Sequence, residues 1–313
     1  MGNGAQWLVS FYACATLGAV TVPINTRFRS DELGYCLKQA DIRCLIFVDR
    51  FLGIDFCALL QDIVPTLPQL QCALMLGDGP CPDWAQRLQD SPARDDTTAA
   101  LAAAVSPDDI LLIQYTSGTT SFPKGVMLSH ANLYLNGLAA AAAVPRPERG
   151  VGMVVAPFFH VGGCGLSLQM MQRGVTQVVI PYFDEVAIFE AMQGEGVTET
   201  FLVPSMIKRL IEHPRFGDFR FPRFAVMLYG AAPIDAALLS QAMDALPGAQ
   251  FDELTVEVPA FARLYFFSDG LYEVTRPDGS MMAYEEFVDI LMQAPRTASA
   301  LTATVDAVRA VRG

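Results

Sequence analysis

An α/β fold, with mostly parallel sheets flanked by helices, is what this sequence predicts, and three observations predict it. From Val151 onward, short apolar strands alternate with helical patterns, the rhythm of βαβ units. At 52% hydrophobic, the 313 residues can bury one large core or two smaller ones. Polar or glycine-rich segments recur just behind strands: YTSGTT after Ile110 to Ile113, PFFHVGG after Ala156, VPSM after Leu202 and YGAAP after Leu228. Ligands of open parallel sheets bind beyond the carboxyl ends of the strands. Four such junctions on one edge predict a nucleotide-sized crevice.

Taken in order, Gln6 to Ala19 is apolar on a helical period through Leu8, Phe11 and Leu17, and it runs straight into VTVPINTRF with no strand before it. Ser30 is placed to cap the next helix, with Asp31 and Glu32 at its positive end and Leu33 and Leu37 facing inward. Asp41 leads into a strand, Arg43 to Val48. A second apolar run, Cys72 to Leu76, ends at the turn Gly77-Asp78-Gly79-Pro80. Ser91 to Ala104, polar and then alanine-rich, reads as a connection. Beyond Val151, VGMVVAP leads to a helix over Gly165 to Gln172 and VTQVVIP to one over Asp184 to Gln193. VTETFLVP leads to a helix over Ser205 to His213, and FAVMLYG to one over Ile234 to Leu246.

Composition excludes several functions. A net charge of −12 and only three lysines (Lys38, Lys124, Lys208) argue against nucleic acid, whose phosphates need clustered cations. The seven cysteines form no CxxC pair and no metal spacing, and read as small core residues in a reducing cytosol. No uninterrupted apolar stretch is long enough to span a bilayer, and no basic n-region opens the chain. The expectation is a soluble, cytoplasmic protein; its oligomeric state stays open.

Tyr115 to Val126, YTSGTTSFPKGV, carries the strongest chemical signal. Four hydroxyls (Thr116, Ser117, Thr119, Thr120), two glycines and Lys124 fall within twelve residues behind a buried strand. Small residues let backbone N–H groups approach a phosphate, hydroxyls donate, and lysine supplies a compact positive charge. The spacing is not that of a Walker A loop, because Pro123 precedes the lysine and Gly125 follows it. A plain surface Ser/Thr/Gly loop is the alternative on composition alone.

In residue order this stretch resembles the phosphate loop of the adenylate-forming enzymes, the acyl-CoA synthetases among them. The resemblance runs from Asn3 to about Gln250. It implies that Thr116, Ser117, Gly118, Thr119, Thr120 and Lys124 hold the ATP phosphates. Ser121 stands where the family usually has glycine. His160 matches a position between the acyl pocket and the thiol tunnel; its alternative is an ordinary buried imidazole. Gly230, Ala231, Ala232 and Pro233 resemble the family's GGAP segment, against which adenine stacks; a tight strand-to-helix turn would use the same residues. His130, in LSHANL, fits the family as a structural residue. Implied with these are ATP, Mg²⁺ and coenzyme A as cofactors, and a small-molecule carboxylic acid as substrate.

The resemblance also implies an N-terminus shorter than the family's by several tens of residues. After Gln250 no YGxTE motif follows, and Lys208 is the last lysine. The metal-holding Glu and the C-terminal catalytic Lys of the family thus have no counterpart here, so the expectation is a truncated, impaired ligase-like chain. The later stretch, FARLYFFSDGLYEVTRPDGSMMAYEEFVDIL, reads as a strand Leu264 to Phe267, a Pro277-Asp278-Gly279 turn and a helix with Phe287, Ile290 and Leu291. It resembles the late part of metal-dependent serine/threonine phosphatases of the sporulation and stress-regulator type. That resemblance implies a metal-ligating Asp269, although a two-metal site needs several carboxylates, and a strand-end turn is the plainer reading. The domain expectation is therefore residues 1–250 as a partial AMP-binding domain and 251–313 as a small α+β appendage. Acidic Asp252, Glu253 and Glu257 alternate with Leu254, Val256 and Val258, which suits a half-exposed strand and not a central one.

Overall fold

In the computed structural model of the chain, residues 1–77, 96–116, 123–143, 147 and 150–251 are described, with scattered positions between 276 and 311. The chain divides into two compact units, Met1–Leu254 and Thr255–Gly313. In chain order the first holds α1 (Ala5–Leu17), α2 (Ser30–Gln39), β1 (Cys44–Val48), β2 (Arg50–Phe51), β3 (Ile54–Asp55), α3 (Phe56–Gln61), β4 (Cys72–Leu76), α4 (Asp96–Ala104), β5 (Ile110–Thr116) and β6 (Lys124–Ser129). There follow α5 (His130–Ala143), β7 (Val151–Val154), α6 (Val161–Gln172), β8 (Thr176–Val179), α7 (Glu185–Gly194), β9 (Glu199–Leu202), α8 (Pro204–Ile211), β10 (Val226–Tyr229), α9 (Ala236–Ala245) and β11 (Gln250–Phe251). The fold is α/β, as its sequence predicts.

Helices start and stop where local chemistry tells them to. Gly18 ends α1 in the left-handed region (φ 71), which lets the N–H of Ala19 reach the Cys14 carbonyl at 2.9 Å. Asp184 and Asp235 cap α7 and α9, their carboxylates accepting from the N–H groups of Ala187 and Leu238. Two local expectations fail. Ser30 is the first helical residue of α2, and Arg29 is the N-cap; Glu32 closes the turn by accepting from the Arg29 N–H at 2.9 Å. Part of the stretch read as a connection before residue 104 is helix α4, because a run of alanines is the strongest helix former.

The main sheet has the order β11-β10-β9-β7-β8, all parallel. Its central strand β9 carries Glu199, fully buried, whose carboxylate accepts from Arg173 Nη1 at 2.7 and 3.0 Å. The ladder between β7 and β9 is short, and threonine side chains extend it. Thr200 Oγ1 donates to the Met153 carbonyl (2.8 Å), and Thr198 Oγ1 bridges the Val151 amide and carbonyl (3.0 Å each). Beneath the sheet lies a core of Met153, Ile188, Phe189, Leu202, Ile207 and Met227, ringed by Phe216, Phe219 and Phe221. A second core, around Leu37, Phe47, Leu60 and Met75, serves the small parallel pair β1–β4.

One expectation about topology needs correction. β5 does not belong to the parallel sheet. It pairs antiparallel with β6 and, through an isolated parallel bridge, with Thr21. The phosphate-like loop is therefore the crossing of a hairpin, and only three of the four junctions lie on the carboxyl edge of the main sheet.

Phe251 pairs in parallel with Met227 at the sheet's edge; residues 252–275, with the expected strands at Phe251 to Pro259 and Leu264 to Phe267, lie outside the described residues beyond that point. In the second unit the Asp278 carboxylate accepts from the amide and hydroxyl of Ser280, closing the expected turn. Arg276 pairs with Glu286, and residues 286–287 and 289–290 are helical, with Phe287 fully buried.

Candidate functional site

At the mouth of the hairpin, Thr116 and Lys124 stand directly opposite each other, the last pair of the ladder. Directly opposed residues project from the same face with Cβ atoms about 4.5–5.5 Å apart. Both are exposed, so a hydroxyl and an ammonium share one solvent-facing spot at the two ends of the loop. Ser117, Gly118, Thr119, Thr120 and Ser121 lie outside the described residues. The hairpin is held by what lies behind its mouth. Pro123 is buried, and the Tyr115 hydroxyl lies 2.9 Å from Gln39 Oε1 and 3.2 Å from the Cys36 carbonyl. A phenol has one proton, so it donates to one of these at a time. Burial pushes its pKa up to about 12, which keeps it a donor at any ordinary pH.

Gln114 joins this hairpin to the main sheet. It is nearly buried, and its Nε2 donates to the Phe159 carbonyl at 2.9 Å. The chain around Phe159 is fixed from the other side by Asn3. Asn3 Nδ2 donates to the carbonyls of Ala156 (3.0 Å) and Ile180 (3.2 Å), and its Oδ1 accepts from the Phe158 N–H at 2.8 Å. One buried side chain thus clasps the carboxyl ends of β7 and β8 and sets the path of PFFH.

His160 is the N-cap of α6, in extended conformation, but its side chain does not cap the helix. The ring is exposed and tilts against Phe159 at 4.6 Å, so the alternative of a buried imidazole fails. Its crowded surroundings still remove part of its solvent, and this desolvation holds its pKa below the ordinary value. The neutral ring is therefore the resting form at pH 7.

Behind His160, Gly163 is packed against backbone: a Cβ there would lie 2.2 Å from the Pro157 oxygen and 2.4 Å from that of Ala156. The helix sits on the strand end because this position has no side chain. Phe201, on β9, then links two junctions, since its ring abuts Gly162 on α6 and Gly230 behind β10. The turn Gly230-Ala231-Ala232-Pro233 is open to solvent from Ala231 on, and Ala231 adopts φ 64. An alanine in that region carries about 1–2 kcal/mol of strain.

The arrangement brings together Thr116 with Lys124 and, through Phe201, Gly162 of α6 with Gly230 behind β10. Gln114 and Phe201 were not legible as site residues. A glutamine inside ILLIQYT was the available signal for the first, and nothing marked the second. His130 opens α5 in a different place, at the far end of the hairpin. A cavity of about 180 Å³ bounded by α1, α2 and β1 contains none of the candidate residues. Asp269 lies outside the described residues. Among the described residues no three His, Cys, Asp or Glu side chains converge on a metal position. No helix among them is long and apolar enough to cross a membrane. The cysteines are not uniformly core: Cys36 and Cys164 are buried, whereas Cys44 is exposed.

Comparison with known proteins bears on the family and the fold. Residues 1–255 match the family model described as AMP-binding enzyme. The match ends there, so it lends nothing to the phosphatase resemblance of the later stretch. The chain is 28% identical over 268 residues to the putative acyl-CoA synthetase YngI of Bacillus subtilis, covering 77% of this chain and 47% of that protein. It is 30% identical over 248 residues to a feruloyl-CoA synthase of an Amycolatopsis species, covering 77% and 45%. The chain thus spans about half the length of the curated relatives it matches. Among solved structures, the N-terminal domain of FACL13 from Mycobacterium tuberculosis superposes with a TM-score of 0.62 at 24% identity, over 80% of this chain and 60% of that one. The anthranilate CoA ligase AuaEII superposes with a TM-score of 0.69 at 21% identity, over 80% and 48%. At these identities the superpositions speak for the fold.

Proposed function

The chain belongs to the AMP-binding enzyme family, and from that premise we propose that it activates a carboxylic acid of the fatty-acid class with ATP, on the way to a coenzyme A thioester. The observation that carries the reading is the Thr116–Lys124 pair at the hairpin mouth, a hydroxyl and a cation on one exposed face. In this reading a carboxylate oxygen attacks the α-phosphorus, pyrophosphate leaves with the electron pair of the broken P–O bond, and an acyl-adenylate forms. Lys124, Thr116 and the loop residues Ser117, Gly118, Thr119 and Thr120 bind the β and γ phosphates and offset the charge that accumulates there. Adenine lies along Gly230 to Pro233, and the acid lies toward Gly162 and Gly163 beside a neutral His160. Mg²⁺, when bound, would neutralise phosphate charge.

Within these 313 residues no YGxTE follows Gln250 and no lysine follows Lys208. We expect this polypeptide alone to bind ATP but to turn over far below the usual enzyme range of about 1–10³ s⁻¹. We also keep the division near residue 250 as part of the proposal, with a cytoplasmic setting where ATP and coenzyme A are at hand. Calorimetry with ATP, alongside acid-dependent ATP–pyrophosphate exchange over a panel of acids, tests the reading. Lys124→Ala removes a charge-assisted contact of about 1.5–3 kcal/mol, roughly a tenfold to hundredfold loss of ATP affinity. Equal affinities for the two proteins would remove Lys124 from the site and sink the proposal.

A further inference from the structure

The small parallel pair β1–β4 opens on two cysteines side by side. Cys44 and Cys72 are directly paired, the first partners of the ladder, and their sulfurs lie 3.3 Å apart. Neighbouring strands run about 4.7–4.9 Å apart, which puts the two Cα atoms inside the span of roughly 4.4–6.8 Å that a disulfide bridges. The backbone holds this register unaided, because the Arg43 carbonyl accepts from the N–H groups of Gln71 (2.8 Å) and Cys72 (3.2 Å). The sulfurs need to close by only a little over about 1 Å, a change of side-chain torsion and not of backbone.

Other cysteines are placed differently. Cys36 and Cys164 are buried. Cys57 directs its thiol to the Met75 sulfur at 3.8 Å, a thioether that cannot form a disulfide. Cys14 lines the 180 Å³ cavity together with Cys44, but it stands on α1, off the ladder. Cys44 is exposed, so a small oxidant reaches the pair from solvent. The chain between the two cysteines carries β2, β3 and α3, and it supplies Phe47, Phe56, Leu60, Ile63 and Leu67 to the second core. A link across this separation of 28 residues would restrict the unfolded chain and staple that core.

We propose that Cys44 and Cys72 are a modification site, a dithiol that low-molecular-weight disulfides such as oxidised glutathione convert reversibly to a disulfide. The Cys44 thiolate attacks one sulfur of the small disulfide, whose S–S bond breaks, and one small thiolate leaves with the electron pair. The Cys72 thiolate then attacks Cys44 Sγ in the mixed disulfide and expels the second small thiolate. The two protein thiol protons end on the two small thiols, and two electrons pass from the protein to the small disulfide, which is the oxidant. Burial and the neighbouring thiol disfavour the Cys44 thiolate, so the first step is slow. The second is intramolecular and fast. Reduced forms compete well when their thiolates are stabilised; this one is not, so the bond persists once formed. In a reducing setting the dithiol is the resting form.

The test incubates the whole 313-residue chain with oxidised glutathione at pH 8 and reads the unreduced digest by mass spectrometry. The expected product is a Cys44–Cys72 link, two hydrogens lighter than the dithiol, with little glutathione left on either cysteine. Its thermal midpoint should exceed that of the reduced chain by about 5 °C or more, and dithiothreitol should reverse both changes. Cys14→Ser and Cys57→Ser should form the link as the wild type does. Cys72→Ser should instead retain glutathione on Cys44 and lose the gain in midpoint. Any of four results in the wild type would overturn the proposal: no link, a link from Cys44 to Cys14, glutathione held stably on Cys44, or a midpoint that stays level or falls on oxidation.

Discussion

Replacing Gly163 by alanine puts one methyl group where the structure has no room for it. The new carbon would sit 2.2 Å from the Pro157 oxygen and 2.4 Å from the Ala156 oxygen. Ordinary C···O contacts are about 3.3–3.6 Å, so each is short by roughly 1 Å. Both neighbours are backbone, and backbone cannot step aside by changing rotamer. The first turn of α6 must therefore lift off the end of β7, and it carries the His160 carbonyl, which accepts from the N–H groups of Gly163 and Cys164 at 3.0 Å. Overpacking of this kind costs about 1–3 kcal/mol, and the rigidity of the obstacle argues for the upper end. For a unit of this size, 3 kcal/mol lowers the thermal midpoint by about 6–12 °C.

Two glycines on the same helix act as controls. At Gly162 the nearest atom is 3.0 Å away on the Phe201 ring, a side chain that can yield, so alanine should cost under about 1 kcal/mol. At Gly165 the nearest atom is a Val161 methyl at 3.3 Å, and alanine should be neutral or stabilising by up to about 1 kcal/mol. Urea unfolding followed by tryptophan fluorescence suits the measurement, because Trp7 stacks on Phe158 at 4.7 Å under this turn. A Gly163→Ala protein within 1 kcal/mol of the wild type would refute the reasoning.

Arg173→Met should remove the buried ion pair with Glu199 and destabilise the first unit, read in the same urea experiment; no measurable loss would show that this pair does not stabilise the sheet. The His160 imidazole should titrate below the usual value of about 6.5 in a proton NMR series. Because its folded pKa is the lower one, the unfolded chain takes the proton first. Its contribution is intact above about pH 6.5 and is lost as pH falls through that value toward the folded pKa, so His160→Gln should flatten that limb of the stability curve. A pKa above 6.5 would contradict the desolvation argument. Cys44 is exposed, but burial of its sulfur and the Cys72 thiol 3.3 Å away push its pKa up to about 12. Iodoacetamide at pH 8 should alkylate it at least tenfold more slowly than free cysteine, and an equal rate by mass spectrometry would disprove this.

The sequence spoke clearly where one periodicity served one element. VTQVVIP and FAVMLYG are strands followed by helices, because apolar run, turn and amphipathic helix succeed each other without ambiguity. It misled where two structures share a pattern. Ile110 to Thr116 is as apolar as any parallel strand, yet its partner is the antiparallel β6, only eight residues on. Apolarity reports burial on two faces and says nothing about the direction of the neighbour. VTETFLVP gave the opposite lesson. A glutamate in a strand argues for exposure, but β9 is central, and its carboxylate is buried because Arg173 meets it from the end of α6. Such a pairing depends on two positions 26 apart that only the fold brings together.

For the candidate site the same distinction decides what could be read. The phosphate binding proposed for Thr116 and Lys124 is local chemistry, and nine residues of sequence are enough to propose it. Coupling the hairpin to the acid-facing residues is not local. β5 and β7 share no ladder, so the distance between Lys124 and His160 is governed by side-chain links, of which Gln114 to the Phe159 carbonyl is the direct one. Asn3 fixes the other end of that loop through four hydrogen bonds. A glutamine that positions a loop forty-five residues away has no signature of its own. If the link governs the site, Gln114→Leu should leave ATP affinity nearly unchanged, because Thr116 and Lys124 stay paired on their own ladder. Acid-dependent pyrophosphate exchange should fall by tenfold or more, since a misplacement near 1 Å at reacting groups costs about 10²-fold. Equal losses in ATP binding and exchange would show instead that the hairpin and the sheet edge fold as one rigid piece, with Gln114 a plain core residue.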